Sequence, residues 1–473
     1  MNLNFPNQDD LQKLSGHVEG GNYDKAKKIA LSLTKEYPRH PFGWKVLGIL
    51  YDKDEKKDDA IRAKKKAVEL APHDYEAHHN LGNSYKNIRK FKKAEESYRF
   101  AIEIQGDFVL AYFSLGTLLF ENLRFDEAEK LFEKLIELDA NNDEAYRVLG
   151  IVYHKLNKFE EAEKCFKKAI NLNPNNAITH FDLGNLLKEN SYSRYNIEDS
   201  IICFKTAIEI NPRINCQINL AAAYLKNKNP RKALYLIESE LNQNPKNISA
   251  YGYKYIALRG LGNYNEADNL ISFPNLVKKI KSQDFSKKNI VKFNKDLKKD
   301  LINHPKRILK KDLNFDIRGE SVIENLFETN TPSILEFQNL LKKCLHNYIS
   351  NLPNINNHPF LKNKTKTCEL SSCWVNFLDP GDFQSSHIHG NGSITGVYYL
   401  DEPEIEIDNK NAGWIEFNRA GNNLPHFGEE KGLELIKPSS GMFIFFPSYI
   451  WHGTIPHKNH YTRISISFDF IFS

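Results

Sequence analysis

Residues 44–72 read WKVLGILYDKDEKKDDAIRAKKKAVELAP, and their pattern returns along more than half of the chain. Helical spacing relates Leu47, Gly48 and Tyr51, and a second helical segment follows them. One small residue of the template recurs in each unit, at Ala26, Ala60, Ala94, Ala128, Ala162, Ser200, Ala233 and Ala267. The successive gaps are 34, 34, 34, 34, 38, 33 and 34 residues. This period predicts a stacked array of helix-turn-helix units over residues 1–275.

The period and the template resemble those of the tetratricopeptide repeat. Gly and Ala let two helices approach closely, aromatic side chains fill the space between neighbouring units, and Pro ends the second helix. Each unit can bury its apolar face only against the next, so we expect a continuous right-handed superhelix. We count about eight units, with degenerate first and last units and an insertion at residues 189–195, where the gap is 38 residues.

A basic stretch follows the repeats. Residues 278–312 hold twelve Lys and one Arg against four Asp, and their apolar residues have helical spacing. We interpret residues 276–312 as a basic helical linker. Its charge is either a patch for an acidic partner or nucleic acid, or a solvated helix face.

From residue 369 the period changes to that of β-strands. Short runs of β-branched and aromatic residues alternate with Gly, Pro and Asn turns, which predicts an antiparallel sandwich or barrel. The runs are Ser372–Phe377, Ile394–Leu400, Trp414–Phe417, Met442–Phe446 and Arg463–Phe470. We therefore expect a second domain at residues 313–473, with its β core at about 369–473.

Three histidines in this domain have the spacing of metal ligands. His387 and His389 are two residues apart, so on an extended segment they point to one face and can reach one metal. His452 on another strand can close a facial site that leaves coordination positions open. Arg463, two residues before Ser465, can hold a carboxylate through two charged hydrogen bonds. The combination indicates redox chemistry on iron with a dicarboxylate co-substrate.

The order of these motifs resembles the iron(II)- and 2-oxoglutarate-dependent oxygenases, and in particular bacterial and phage members of that group. The matching stretches are Cys373–Asn376, His387–Leu400, Gly413–Phe417 and Pro438–Phe468. The resemblance implies a double-stranded β-helix (a jelly roll) preceded by helices. It also implies Fe(II), 2-oxoglutarate and O2 as cofactor and co-substrates, with ascorbate as a supporting reductant.

Four residues are candidates for binding the co-substrate. The resemblance gives Arg463 the far carboxylate of 2-oxoglutarate, and Ser465 can add a hydroxyl donor from the same strand face. Tyr399 matches a position that contacts the co-substrate in relatives, although a core aromatic is an equal alternative. Asn376 lies on the same strand face as Trp374 and is a further candidate.

One residue departs from the oxygenase pattern. The usual motif is His-x-Asp/Glu, whereas position 389 is His, which leaves three neutral imidazoles and one negative charge too few. Either His389 is the third ligand, or water completes a two-histidine site and His389 points elsewhere. Asp382, in a turn upstream, is an outside candidate for the missing carboxylate.

Composition limits the other function classes. A formal charge of +5 is too small to indicate nucleic-acid binding by the whole chain. Six scattered Cys indicate reduced thiols, and neither a signal peptide nor a long apolar run is present, so we expect a cytoplasmic protein that does not bind membranes. The oligomeric state stays open.

The inner helices of the repeats should line a groove for a protein or peptide partner. The polar residues predicted to face it are Asn83, Lys86, Arg147, His154, Asn185 and Lys188. The leading hypothesis is an oxygenase, specifically a hydroxylase, that acts on a polypeptide recruited by the repeats. Two alternatives are a non-catalytic repeat scaffold with a degenerate jelly roll, and a three-histidine cupin-like dioxygenase that does not use 2-oxoglutarate. Arg463 argues against the second alternative.

Overall fold

The computed structural model describes residues 5–189, 197–284, 289–305, 307–309, 317–318, 321–355, 357–403, 406, 409–421, 423–425, 427, 432–458 and 460–473. Residues 190–195 of the predicted insertion, and residues 285–288, 306 and 310–312 of the basic stretch, thus lie outside the described residues. The chain divides into two compact units, Met1–Leu186 and Leu187–Ser473. The boundary predicted at residue 275 lies inside the second unit.

The first unit is built from antiparallel helix pairs. Its helices are α1 (Gln8–Glu19), α2 (Tyr23–Glu36), α3 (Pro41–Lys53), α4 (Lys57–Leu70), α5 (Tyr75–Asn87), α6 (Phe91–Ile104), α7 (Val109–Glu121), α8 (Phe125–Leu138), α9 (Asp143–Lys155), α10 (Phe159–Leu172) and α11 (Ala177–Glu189), the last of which crosses into the second unit. They form a tetratricopeptide-repeat array, as the period predicts.

The turn inside each repeat has one conformation. Glu55, Arg89, Leu123 and Asn157 follow each other at 34-residue intervals, and all have φ between 58° and 62°. This left-handed conformation reverses the chain after the first helix of a pair. The repetition of the turn explains why the sequence period is so constant.

Close approach of the two helices requires glycine. A Cβ added at Gly116 would lie 2.8 Å from the ring of Phe132, and one at Gly150 would lie 2.8 Å from the ring of Phe166. Both rings are buried, and they fill the space that the missing side chains leave. The glycine and the aromatic residue of the template are therefore two parts of one contact.

The second unit begins with further repeat helices. These are α12 (Ile197–Ile210), α13 (Gln217–Lys226), α14 (Pro230–Gln243), α15 (Ile248–Gly260) and α16 (Tyr264–Ile271). The helices that accompany the β domain are α17 (Phe273–Leu276), α18 (Ile290–Ile302), α19 (Pro332–Ser350) and α20 (Pro359–Lys362). None of the helices in the described part of the chain is long and apolar enough to cross a membrane.

Three antiparallel sheets form the jelly-roll domain. The strands are β1 (Lys278–Lys281), β2 (Ile308–Leu309), β3 (Ile317–Arg318), β4 (Ser321–Ile323), β5 (Cys368–Leu378), β6 (Phe383–Gln384), β7 (Ile394–Tyr399), β8 (Ile415–Phe417), β9 (Glu434–Ile436), β10 (Met442–Pro447), β11 (His452–Thr454) and β12 (Arg463–Phe472). The large sheet has the order β1-β10-β7-β12-β5-β4-β2, and the smaller ones are β11-β8-β9 and β3-β6.

The start of the predicted helical linker is a strand. Residues 278–281 form β1, which pairs with β10 at the edge of the large sheet, and Ile280 is buried there between exposed or half-buried lysines. Lysines suit such a position because charges on an edge strand discourage pairing with another chain. The expected helix is present further on, as α18.

Helices of the last repeats pack directly on the β domain within the second unit. The indole Nε1 of Trp451 donates to the carbonyl of Gly252 at 2.9 Å, and the hydroxyl of Tyr449 donates to the carbonyl of Leu270 at 2.9 Å. A Cβ on Gly252 would lie 2.8 Å from the side chain of Ile388, the residue between two of the candidate ligands. The segment that carries two of the candidate metal ligands is therefore packed against a repeat helix.

Candidate metal centre

The structure brings the three histidines together. His387 exchanges two backbone hydrogen bonds with His452, of 2.9 and 3.0 Å, and the backbone N–H of His389 donates to Ser448. The ring centroids lie 4.5 to 5.0 Å apart. One nitrogen of each ring lies within 4.8 Å of the others, so a single metal ion can reach all three. This arrangement places His389 beside the other two and not away from them.

A backbone or carboxylate acceptor holds the Nδ1 atom of each ring. His387 Nδ1 lies 2.7 Å from the carbonyl oxygen of Ser385, and His452 Nδ1 lies 3.0 Å from that of Ile450. His389 Nδ1 lies 2.7 Å from a carboxylate oxygen of Asp469. Because these oxygens accept, Nδ1 of each ring carries the proton and Nε2 presents its lone pair.

Two of the three Nε2 atoms lie very close together. Nε2 of His387 and Nε2 of His389 are 3.0 Å apart. Two lone pairs at this distance repel each other unless a positive charge, either a proton or a metal ion, lies between them. The tautomers and the distance therefore fit a bound metal ion, and imidazole nitrogens suit Fe(II) as they suit Zn, Cu and Ni.

Burial keeps two of the rings neutral. It lowers the pKa of His387 to about 4, with a further contribution from His389, and it holds the pKa of His452 well below the usual value. Neutral imidazole is the form that binds metal, so the rings need not lose a proton when an ion enters.

Arg463 lies in the same cavity with an unused donor. Its side chain is buried beside Tyr399, with the guanidinium carbon 5.1 Å from the ring centre. Among the described residues its Nη1 has no hydrogen-bond partner. A buried, charged N–H without an acceptor costs free energy, so the site fits an incoming carboxylate.

The other predicted co-substrate residues divide into two groups. Tyr399 and Ser465 are paired in register and line the cavity with Arg463. Burial raises the pKa of Tyr399 to about 12, so its hydroxyl keeps the proton and can donate. Asn376 is absent from the residues that line the cavity, and its amide donates to Ser467 at 3.0 Å.

The cavity encloses about 20 Å³ of space that water-sized molecules can occupy. Its remaining wall is mostly apolar or neutral and includes Trp374, Gln384, Val397, Ile415, Phe446 and Thr454. The carboxylate of Asp382 accepts a hydrogen bond from the backbone of Asp379 in its own turn and is outside the histidine group.

Asp469 is the residue that the sequence interpretation missed. It lies six residues after Arg463 on β12, so strand alternation puts both on one face. The pattern Arg463-x-Ser465-x-Ser467-x-Asp469 contained this signal, because every second residue of the strand is polar in an otherwise apolar run.

The predicted groove residues lie on the repeat helices, and several are engaged within the array. Asn83 accepts from Tyr98, Lys86 pairs with Glu121, and Arg147 pairs with Asp182 and Glu144. The ring of His154 lies against Phe159. Asn185 and Lys188 lie on α11, and burial lowers the pKa of Lys188. A partner that binds Arg147 would have to compete with two carboxylates.

Family models match segments in both parts of the chain. A family described as "Putative 2OG-Fe(II) oxygenase" matches residues 372–469. Tetratricopeptide-repeat families match residues 79–143, 144–176 and 165–196. A search of curated proteins finds no match.

Solved structures with a similar fold are repeat proteins. MamA is 24% identical, with 35% of this chain and 95% of MamA covered and a TM-score of 0.33. YrrB, described as a TPR protein with an unusual peptide-binding site, is 22% identical, with 43% and 100% covered and a TM-score of 0.36. The C-terminal part of a TPR protein from Cytophaga hutchinsonii is 16% identical, with 51% and 97% covered and a TM-score of 0.42.

Proposed function

Because the chain combines tetratricopeptide repeats with a domain of the 2OG-Fe(II) oxygenase family, we propose that it is an iron(II)- and 2-oxoglutarate-dependent oxygenase that hydroxylates a protein or peptide substrate. One observation carries the proposal. Three imidazoles that can reach one metal ion share a cavity with the guanidinium of Arg463, whose Nη1 has no hydrogen-bond partner among the described residues.

His387, His389 and His452 would hold the metal through their Nε2 atoms. The bound Fe(II) would supply activation of O2, with 2-oxoglutarate as the electron source. The protein's part is to hold the three rings by their Nδ1–H groups, so that the lone pairs converge without rearrangement. Such fixed orientation of ligands is what outer hydrogen bonds provide in metal sites.

Arg463 would bind the far carboxylate of 2-oxoglutarate. Its planar guanidinium suits two parallel hydrogen bonds to a carboxylate. Ser465 lies two residues along the same strand face, and Tyr399 is paired with it across the sheet, so both can donate to the same group. Trp374, Ile415 and Phe446 would keep water from the reacting centre.

The packing of the second unit supports a polypeptide substrate. α15, a repeat helix, contacts Ile388 between two proposed ligands, and its Gly252 accepts from Trp451, next to the third. A chain held along these last repeats would lie near the metal-binding segment. Hydroxylation of a side chain on such a chain is the reaction that this arrangement favours.

The test is an anaerobic titration of the full-length protein with Fe(II) and then with 2-oxoglutarate. We expect stoichiometric iron, a visible charge-transfer band on addition of 2-oxoglutarate, and release of succinate when O2 and ascorbate are admitted. His387→Ala and His452→Ala should abolish iron retention, whereas His346→Ala, on α19 outside the cavity, should not.

The outcomes separate the alternatives. A protein that retains no iron would be a repeat scaffold with an inactive jelly roll. Iron binding without the band, at saturating 2-oxoglutarate, would identify a three-histidine metal enzyme that uses no such co-substrate. Either result would contradict the proposed function.

A further inference from the structure

The three proposed ligands differ in what holds them from behind. His387 and His452 each donate Nδ1–H to a backbone carbonyl, of Ser385 and Ile450. His389 instead faces the carboxylate of Asp469, with distances of 2.7 and 2.9 Å to its two oxygens. His389 stands at the position where these oxygenases carry an acidic ligand. It is also the one proposed ligand of the three that faces a carboxylate.

Asp469 is built into this position. It is buried on β12 and lies opposite Ser372 of β5 and Thr395 of β7 in the strand register. Thr395 donates to one oxygen at 2.6 Å, and Ser372 donates to the other at 3.3 Å. Thr395 also contacts Ser448, whose carbonyl accepts the backbone N–H of His389. The carboxylate and the imidazole are therefore fixed to each other through one network.

The charge of Asp469 has no cation of its own in the described part of the chain. Its partners there are two hydroxyls and the ring of His389. A buried carboxylate without a counter-ion is costly, and a metal ion on the far nitrogen of the same ring would compensate it. A carboxylate acceptor on Nδ1–H also makes Nε2 a stronger donor to a metal.

We propose that Asp469 is a positioning residue that returns, through the imidazole of His389, the negative charge that the H-x-H motif lacks. His389 and Asp469 act together in place of the usual acidic ligand. This inference rests on the proposed function, since it assumes that Fe(II) occupies the three-imidazole group.

The test compares Asp469→Asn with the full-length wild type. Asn has nearly the same shape and keeps an oxygen that can accept from Nδ1–H, so the variant removes charge and leaves the ring in place. We expect the Fe(II) affinity, measured anaerobically against a competing chelator, to fall about 10- to 100-fold, the usual effect of losing such a partner. Asp401→Asn, which removes a half-buried carboxylate paired with Lys298, is the matched control and should not change the affinity.

A second readout excludes a merely structural role. A nearby negative charge favours Fe(III) over Fe(II), so the midpoint potential of the bound iron should shift to a more positive value in Asp469→Asn. The control variant should keep the wild-type potential. An unchanged affinity and potential in Asp469→Asn would overturn the inference and leave the proposed function standing, because the wild type would still bind iron and 2-oxoglutarate.

A double-mutant cycle tests the route through the ring. In His389→Asp the Nδ1–H is gone, so adding Asp469→Asn should cost less than about threefold in Fe(II) affinity, by contrast with the larger loss in the wild-type background. Equal losses in both backgrounds would show that Asp469 does not act through His389, and would refute the proposal.

If Asp469→Asn does not fold, Thr395→Val is tested in its place. This variant keeps the charge of Asp469 and removes the hydroxyl that orients the carboxylate. Thr395→Val should then weaken Fe(II) binding by a smaller factor, and an unchanged affinity would overturn the inference. A wild type that retains no Fe(II) would contradict both this inference and the proposed function.

Discussion

Arg463 and Asp469 carry opposite charges on one face of a single strand, β12, and each has a different task in the proposed chemistry. Arg463 faces the cavity with an unsatisfied donor, whereas Asp469 is satisfied by hydroxyls and by the ring of His389. An unsatisfied buried donor indicates a missing ligand. A buried carboxylate whose oxygens already accept hydrogen bonds instead supports the groups that donate to it. The two residues therefore call for different experiments.

Arg463→Ala should lose 2-oxoglutarate and keep iron. Removing one partner of a buried charge pair costs roughly 2–5 kcal/mol, which is about thirty- to several-thousand-fold in affinity at about 1.4 kcal/mol per decade. Arg463→Lys should restore binding only in part, because it supplies charge without the planar pair of donors. The measurement is the charge-transfer band of the anaerobic iron form during titration with 2-oxoglutarate.

Arg419→Ala is the matched control for this titration. Arg419 belongs to the same domain but pairs with Glu416 and does not line the cavity. If Arg463→Ala titrates like this control, the assignment of the far carboxylate to Arg463 is wrong.

His79, in the first unit, should make the protein sensitive to acid. Burial and the charge of Lys64 lower its pKa, and the ring contacts Ser114 at 2.9 Å. In the unfolded chain this imidazole binds a proton near pH 6.5, whereas in the folded protein it binds one only at lower pH. The free energy of unfolding therefore keeps its full value above about pH 6.5 and decreases below it, by at most about 1.4 kcal/mol per pH unit. His79→Gln should therefore lose less thermal stability between pH 7 and pH 5 than the wild type. His78→Gln, its neighbour on α5, serves as the control, and equal acid sensitivity of the His79 variant and the wild type would contradict the prediction.

The repeat helices pair so closely because of a glycine that recurs at Gly48, Gly82, Gly116 and Gly150. Gly150 leaves room for the ring of Phe166, which would otherwise meet a Cβ at 2.8 Å. The surrounding residues cannot easily make room for such a Cβ, because protein cores are packed as densely as organic crystals. The contact between α9 and α10 thus depends on a residue without a side chain.

Gly150→Val should destabilise the array. Overpacking of a filled core costs about 1–3 kcal/mol, and a β-branched residue gains little helix propensity in return. Chemical denaturation followed by the helical dichroism signal measures the effect. Gly106→Ala is the control, because an added Cβ there meets nothing within 4 Å. It should leave the midpoint of the denaturation curve unchanged. A Gly150 variant as stable as the Gly106 variant would show that the helices can separate without cost.

At the scale of the whole molecule, the second unit joins repeat helices and jelly roll into one body. Tyr449 and Trp451, just before the proposed ligand His452, use their polar atoms on the carbonyls of Leu270 and Gly252. Both rings are fully buried. Removing the repeat helices would expose two large aromatic side chains and leave their donors without these acceptors, beside the metal-binding segment.

The fragment 187–473 should therefore retain Fe(II), whereas the fragment 276–473 should not. Both contain all three histidines, so the comparison isolates the support from α12–α16. Iron retained per chain, together with the near-ultraviolet dichroism of the buried aromatics, is the measurement. Equal retention by both fragments would mean that the jelly roll holds its site without the repeats.

The repeat array could be predicted from the sequence because its contacts are local. A helix in such an array packs mainly on its neighbours along the chain, so one template at 34-residue spacing specifies the turn at Asn157 as well as the contact of Gly150. The presence of an oxygenase-type jelly roll could be predicted for a related reason, since strand alternation and the order of the histidine and arginine motifs are written along the chain.

The tertiary structure alone decided the rest. His389 and Asp469 are 80 residues apart in sequence, and they meet because the register of β12 against β7 places Asp469 opposite Thr395. Ile280 joins the sheet because β10 offers an unpaired edge, and Ile388 meets α15 because the last repeats cover that face. Contacts of this kind depend on which distant surfaces bury each other, and no local pattern of residues records that choice.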